Sequence, residues 1–133
     1  MRNFCLVSLL LLNITTLTGC AAPLFATAAG VGGSAALTHT NNGITYRTFT
    51  EPLPRVRSAS MRALQRMQIK VASSEKIDGG EGIKAKSGDR AIDIELESVS
   101  PSTTRMRVTA KKNLFVYDNA TATEIILQTE RYL

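Results

Sequence analysis

A chain of 133 residues with a formal net charge of +5 has material for one small domain and is modestly basic. Its two cysteines and single histidine exclude a disulfide framework, a converging Cys/His zinc set, and a nucleophile served by a histidine base in a shaped cleft. No catalytic residue, metal site or cofactor is expected, and the chain reads as a non-enzyme.

The N-terminus is organised as a secretory signal. Arg2 supplies a short positive region, Phe4 to Leu12 an apolar stretch, and Leu17-Thr18-Gly19-Cys20 a small-residue cleavage site. The apolar stretch is too short for a bilayer span, which takes about 20 residues. The Leu-x-Gly-Cys ending resembles a lipobox. That resemblance implies removal of residues 1–19, a diacylglycerol joined to the Cys20 thiol, and acylation of the new amino group, with palmitate as the expected fatty acid. Each buried CH₂ contributes about 0.8 kcal/mol, and two or more acyl chains hold a protein firmly where one holds it reversibly. Ala21 stands where lipoproteins kept in the inner membrane typically carry Asp. The expected location is therefore the outer membrane, with the domain facing the periplasm, where nucleic acid is not an expected partner. With Cys5 in the signal and Cys20 lipidated, no thiol remains for other chemistry.

Residues 20–43 read as the lipidated cysteine and a tether. Ala, Gly, Thr, Ser and Asn dominate, Gly30, Gly32 and Gly33 lie close together, and no charged residue occurs between Ala21 and Gly43. A flexible stretch of this length spans roughly 25–30 Å end to end. A competing arrangement lays Leu24 to Leu37 on the membrane or packs it as a helix, which the glycines oppose.

Residues 44–133 form the expected domain. Ile44 to Phe49 alternates, placing Ile44, Tyr46 and Thr48 on one side of a first strand. Thr50-Glu51-Pro52 then reads as a helix start, with a capping hydroxyl and a proline in the first turn. Val56, Ala59, Ser60, Ala63, Leu64 and Met67 recur at helical spacing as a buried stripe. Arg55, Arg62 and Arg66, separated by steps of seven and four, share the opposite side. Guanidinium groups match phosphate or carboxylate bidentately, which makes this row a candidate anion-binding surface. A solvated helix face needs only charge, so the pattern leaves both readings open.

After Gln68 the period changes to two. Ile69 to Ser73 is a second strand, Lys76 to Gly80 a turn, and Ile83 to Lys86, Ala91 to Glu97 and Arg105 to Lys111 continue an antiparallel meander. Gly88-Asp89 as a two-residue loop sets Lys86 opposite Ala91, Ala85 opposite Ile92, Lys84 opposite Asp93 and Ile83 opposite Ile94. A slip by one residue would destroy both faces. The Ser98 to Ser102 connection leaves two registers, and both bring Arg105 and Arg107 beside Asp93, Glu95 or Glu97. Such cross-strand pairs contribute about 0.2–1 kcal/mol each. Basic neighbours favour ionised carboxylates, whereas a general acid needs its pKa raised, so this face reads as solvated rather than catalytic. Gly79-Gly80-Glu81-Gly82 joins strand to strand and lacks the helix of a phosphate loop.

Asn113 to Val116 reads as a last extension of strand. Asp118 or Asn119 then caps a helix whose buried side is Ala122, Ile125, Ile126, Thr129 and Tyr132 or Leu133. The expected fold is α+β and two-layered, an antiparallel sheet of about five strands with two helices on one face, in the order strand, helix, four strands, helix.

Ser74-Glu75-Lys76-Ile77-Asp78-Gly79-Gly80-x-Gly82-Ile83-Lys84-Ala85, followed by Ile92-x-Ile94-x-Leu96 and the run Glu97 to Val108, resembles a family of short bacterial lipoproteins classed as a domain of unknown function, number 3568. The resemblance carries over no catalytic residue. The element order also looks like the small domains of a lipoprotein subunit of the outer-membrane barrel assembly machine, a likeness of fold that carries no function. The expected role is an outer-membrane lipoprotein held by its N-terminal lipid, binding or scaffolding another envelope protein. The alternative is a binder of anionic lipid, lipopolysaccharide or glycan through Arg55, Arg62 and Arg66. No small-molecule ligand is specified.

Overall fold

The computed structural model describes residues 38–133. The expected signal peptide, Cys20 and most of the expected tether lie outside them. Eight elements follow in order: β1 (His39–Asn41), β2 (Ile44–Phe49), α1 (Leu53–Arg66), β3 (Lys70–Ile77), β4 (Gly80–Ser87), β5 (Arg90–Ser100), β6 (Thr103–Lys111) and α2 (Asn119–Glu130). The strands make one six-stranded antiparallel sheet in the order β1-β2-β6-β5-β4-β3. Both helices pack against each other and against its central strands. This is the expected two-layer α+β fold, with one strand more than expected.

The additional strand is β1, placed where the sequence reads as tether. Asn42 and Gly43 both adopt left-handed backbone, φ 49° and 79°, the pair of conformations a two-residue hairpin turn demands. The turn brings His39 opposite Tyr46 and Asn41 opposite Ile44. The folded domain therefore includes His39 to Gly43. In β2, Thr45 and Phe49 are buried against the helices, while Ile44 and Tyr46 share the opposite, open face.

Helix α1 starts differently from expectation. Thr50 does not cap it; Pro52 is the cap residue and gives no side-chain bond. Its carbonyl accepts the amides of Arg55 at 3.0 Å and Val56 at 3.2 Å, and Pro54 sits in the first turn where a missing N–H is harmless. Val56, Ala59, Ser60, Ala63 and Leu64 are buried as the spacing requires, and Met67 packs half-buried at the C-terminus. Gln68 turns the chain with φ 57°, and the Ile69 amide reaches back to the Leu64 carbonyl at 2.9 Å.

The meander holds the expected register of β4 on β5, through Gly88 with φ 59°. Of the two allowed registers of β6, the chain adopts Glu97 opposite Arg105 and Glu95 opposite Arg107, with a bulge between Ser98 and Ser100. Ile83, Ala85, Ile92, Ile94, Leu96, Met106, Val108 and Ala110 face the helices. Asn113 to Val116 does not extend a strand. The Asn113 side chain accepts the amides of Phe115 and Val116, so the chain turns there and keeps only a bridge between Lys111 and Tyr117. Asp118 then caps α2, whose buried residues are Ala122, Ile125, Ile126 and Thr129. Tyr132 is more than a third exposed, and Leu133 packs at the edge of the core.

Candidate functional site

The arginine row is the surface that sequence spacing singles out, and the fold divides it. Arg55, Arg62 and Arg66 are all exposed on α1. Arg55 donates to the Leu133 backbone oxygen at 2.7 Å and lies 3.3 Å from Glu51, so it is engaged in holding the end of the second helix. Arg62 and Arg66 make no ion pair among the described residues. With Gln65 and Tyr132 they border a recess of about 300 Å³. The structure thus brings two of the three arginines together beside an aromatic ring. Cys20 lies outside the described residues.

A fourth arginine, Arg57, is occupied structurally. Its Nε donates to both Glu81 oxygens, at 2.7 and 2.8 Å, and the Ser74 hydroxyl donates to the same carboxylate. Burial pushes the Glu81 carboxyl up, but the hydrogen bonds from Arg57 and Ser74 and the charges of Arg57 and Lys76 outweigh it, leaving the group below its ordinary value. The contact ties α1 to β4 and β3. At the other end of the sheet, Arg90 donates to Asp118 at 2.5 Å, and that bond holds Arg90 above its usual value.

The open face is laddered with charge. Arg105 pairs with Glu97 at 2.6 Å, Arg107 with Glu95 at 2.9 Å and Lys84 with Glu75 at 3.7 Å. A trough of about 330 Å³ crosses this face, hollowed where Gly82 has no side chain and walled by Ile44, Ile77 and Tyr117. Among the described residues no three His, Cys, Asp or Glu side chains could hold a metal ion, and no helix is long and apolar enough to cross a membrane.

Two further surfaces escape the sequence reading. Every residue of β3 is exposed, because the helices cover the centre of the sheet and leave this strand overhanging, with one edge unpaired among the described residues. The alternation of polar and apolar residues is weak there, which was the available signal. The second surface is the loop after β6, where Leu114 and Phe115 point outward.

The family model described as a protein of unknown function, DUF3568, matches residues 4–112, from the apolar start through the end of β6. No curated protein matches the chain. The match covers most of the chain, including the charge-laddered meander, and the chain belongs to the DUF3568 family of proteins of unknown function.

Proposed function

We propose that this protein is a non-enzymatic lipoprotein, held by a lipidated Cys20 at the periplasmic face of the outer membrane, whose domain binds another envelope protein. The observation that carries the binding role is the free edge of β3. Eight residues, Lys70–Ile77, stand exposed along an edge whose backbone groups have no strand beyond them among the described residues. Such an edge pairs readily with an extended segment of a partner, through main-chain hydrogen bonds. Lys70, Lys76 and the bulge between Val71 and Ser73 restrain indiscriminate pairing.

A photo-crosslinking residue at Ser73, in the native chain within intact envelopes, tests this. The proposal expects one envelope protein captured from Ser73 and not from the exposed Glu124 on α2. Its purified form should then slow amide exchange along Lys70–Ile77. Equal capture at both positions, or no added protection in β3, refutes the edge as the binding surface.

The second reading, an anionic lipid, lipopolysaccharide or glycan as ligand, draws support from the recess between Arg62, Arg66 and Tyr132. Of Arg55, Arg62 and Arg66, the two that make no ion pair among the described residues carry the test: changing Arg62 and Arg66 to Glu should abolish retention on immobilised lipopolysaccharide with the thermal midpoint kept. Unchanged retention eliminates this reading.

A further inference from the structure

The loop between β6 and α2 turns its apolar side chains outward and bonds several of its backbone groups within itself. Leu114 and Phe115 are 86% and 87% exposed, and Val116 and Tyr117 are about half exposed. Asn113 Oδ1 accepts the Phe115 amide at 3.2 Å and the Val116 amide at 3.1 Å, and the Lys112 amide donates to the Val116 carbonyl at 2.9 Å. Amides bonded in this way can leave water without loss, which apolar surroundings require. The base of the loop is braced. Tyr117 packs on Gly43, where a Cβ would lie 2.2 Å from the ring, and Lys111 Nζ sits 5.2 Å from the ring centroid.

The sheet end from which this tip projects is basic. Lys70 stands opposite Lys86, Lys86 opposite Ala91, and Ala91 opposite Lys111, so lysines line one row across β3 to β6, and Lys112 follows. None of the four makes an ion pair among the described residues. Arg90, the other cation here, is engaged by Asp89 and Asp118. Bulky apolar residues at a convex tip, rimmed by lysines, complement anionic headgroups over hydrocarbon. A second copy of the chain would present the same lysines, and like charge opposes that pairing.

We propose that this tip is a membrane contact: Leu114 and Phe115 enter the interface of an anionic bilayer while Lys86, Lys111 and Lys112 meet its headgroups. The contact goes beyond the protein-binding role, and it rests on the N-terminal anchor in one respect, that the anchor brings the domain within reach of lipid. A domain so held presents a defined face to the membrane.

The chain contains no tryptophan, so Phe115→Trp places one fluorophore at the tip and Val99→Trp one at the opposite end of the sheet, where Val99 is 55% exposed. Both are exposed sites, so the core is untouched. The full chain, purified from membranes, is reconstituted with vesicles of phosphatidylethanolamine and phosphatidylglycerol carrying brominated acyl chains. Flotation reports whether the chain is held, and quenching reports which end touches lipid. The expected result is a blue shift and strong quenching at position 115 and none at 99. Both should weaken when phosphatidylglycerol is left out, and Leu114→Asp should leave flotation unchanged while lowering the lipid-inserted fraction of the tip, read as quenching at position 115, on the order of tenfold. A floating chain with position 115 unquenched, or quenched no more than position 99, overturns the contact and leaves the anchor standing. Quenching indifferent to phosphatidylglycerol overturns the lysine rim as part of it. A blue shift that grows with protein concentration in the absence of lipid assigns the tip to a second copy instead. A chain that does not float overturns both anchor and contact.

Discussion

Replacing Asp118 by Ala removes a capping acceptor and an ion-pair partner together. Its Oδ1 accepts the Thr121 amide at 3.0 Å, and its Oδ2 accepts the Thr121 hydroxyl at 2.7 Å and Arg90 Nε at 2.5 Å. These bonds, the Thr121 amide foremost, then the Thr121 hydroxyl and Arg90, pull the carboxyl from 3.8 to about 2. A folded-state pKa depressed in this way contributes stability above the unfolded value, and the contribution is lost as pH falls from about 4 towards about 2. At about 1.36 kcal/mol for each pH unit, the full value is roughly 2.4 kcal/mol. The side chain is 19% exposed. Screening at such a site lowers the figure to about 1–2 kcal/mol, in line with the ~0.5–2 kcal/mol typical of replacing an N-cap by Ala. In a domain of this size that is roughly 4–8 °C of thermal midpoint for each kcal/mol. Asp118→Asn keeps an acceptor for the Thr121 amide and loses the charge, so it should fall between wild type and Asp118→Ala. Urea unfolding of the three proteins, from neutral pH down to about pH 2, measures this. The gap between wild type and Asp118→Ala should be widest at neutral pH and narrow in acid. A gap that is absent at neutral pH, or that stays constant into acid, refutes the reasoning.

Gly43→Ala must strain a φ of 79° and drive a Cβ into the Tyr117 ring, so it should lower stability by more than about 1 kcal/mol and change the near-ultraviolet dichroism of the tyrosines. An unchanged thermal midpoint contradicts that packing. Gln68 also holds left-handed backbone, at φ 57°, and Gln68→Gly relieves it, raising the urea midpoint by the equivalent of up to about 1 kcal/mol; a lower midpoint contradicts the assignment of strain there. Glu95→Arg and Arg107→Glu should each destabilise by about 0.2–1 kcal/mol and the double swap should recover most of the loss, as a cross-strand pair requires. Simple addition of the two losses in thermal unfolding excludes the pair.

The β4–β5 register was legible because a one-residue slip would part Ile83, Ala85, Ile92 and Ile94 from a shared face, and the two-residue turn that Gly88 accommodates selects among the alignments of the right parity. The hairpin at Asn42-Gly43 had an equally good local signal, masked by the uncharged, small-residue composition around it. Leu114-Phe115-Val116 reads as strand by side-chain preference alone. The competing bonds of Asn113 decide the outcome there, and alternation does not register them. For the arginine row, helical spacing correctly gave the shared face of Arg55, Arg62 and Arg66. That Arg55 is engaged by Leu133 depends on where α2 ends, a long-range fact that no local pattern holds. The overhang of β3 is of the same kind, since it depends on how far two helices reach across six strands.

Metabolic labelling with a radioactive fatty acid, comparing the wild-type chain with Cys20→Ser in bacterial envelopes, tests the lipid anchor on which the proposed role depends. The account predicts label on the wild-type protein in the outer-membrane fraction and none on Cys20→Ser. Label that persists on Cys20→Ser, or a wild-type chain that takes up none, contradicts it.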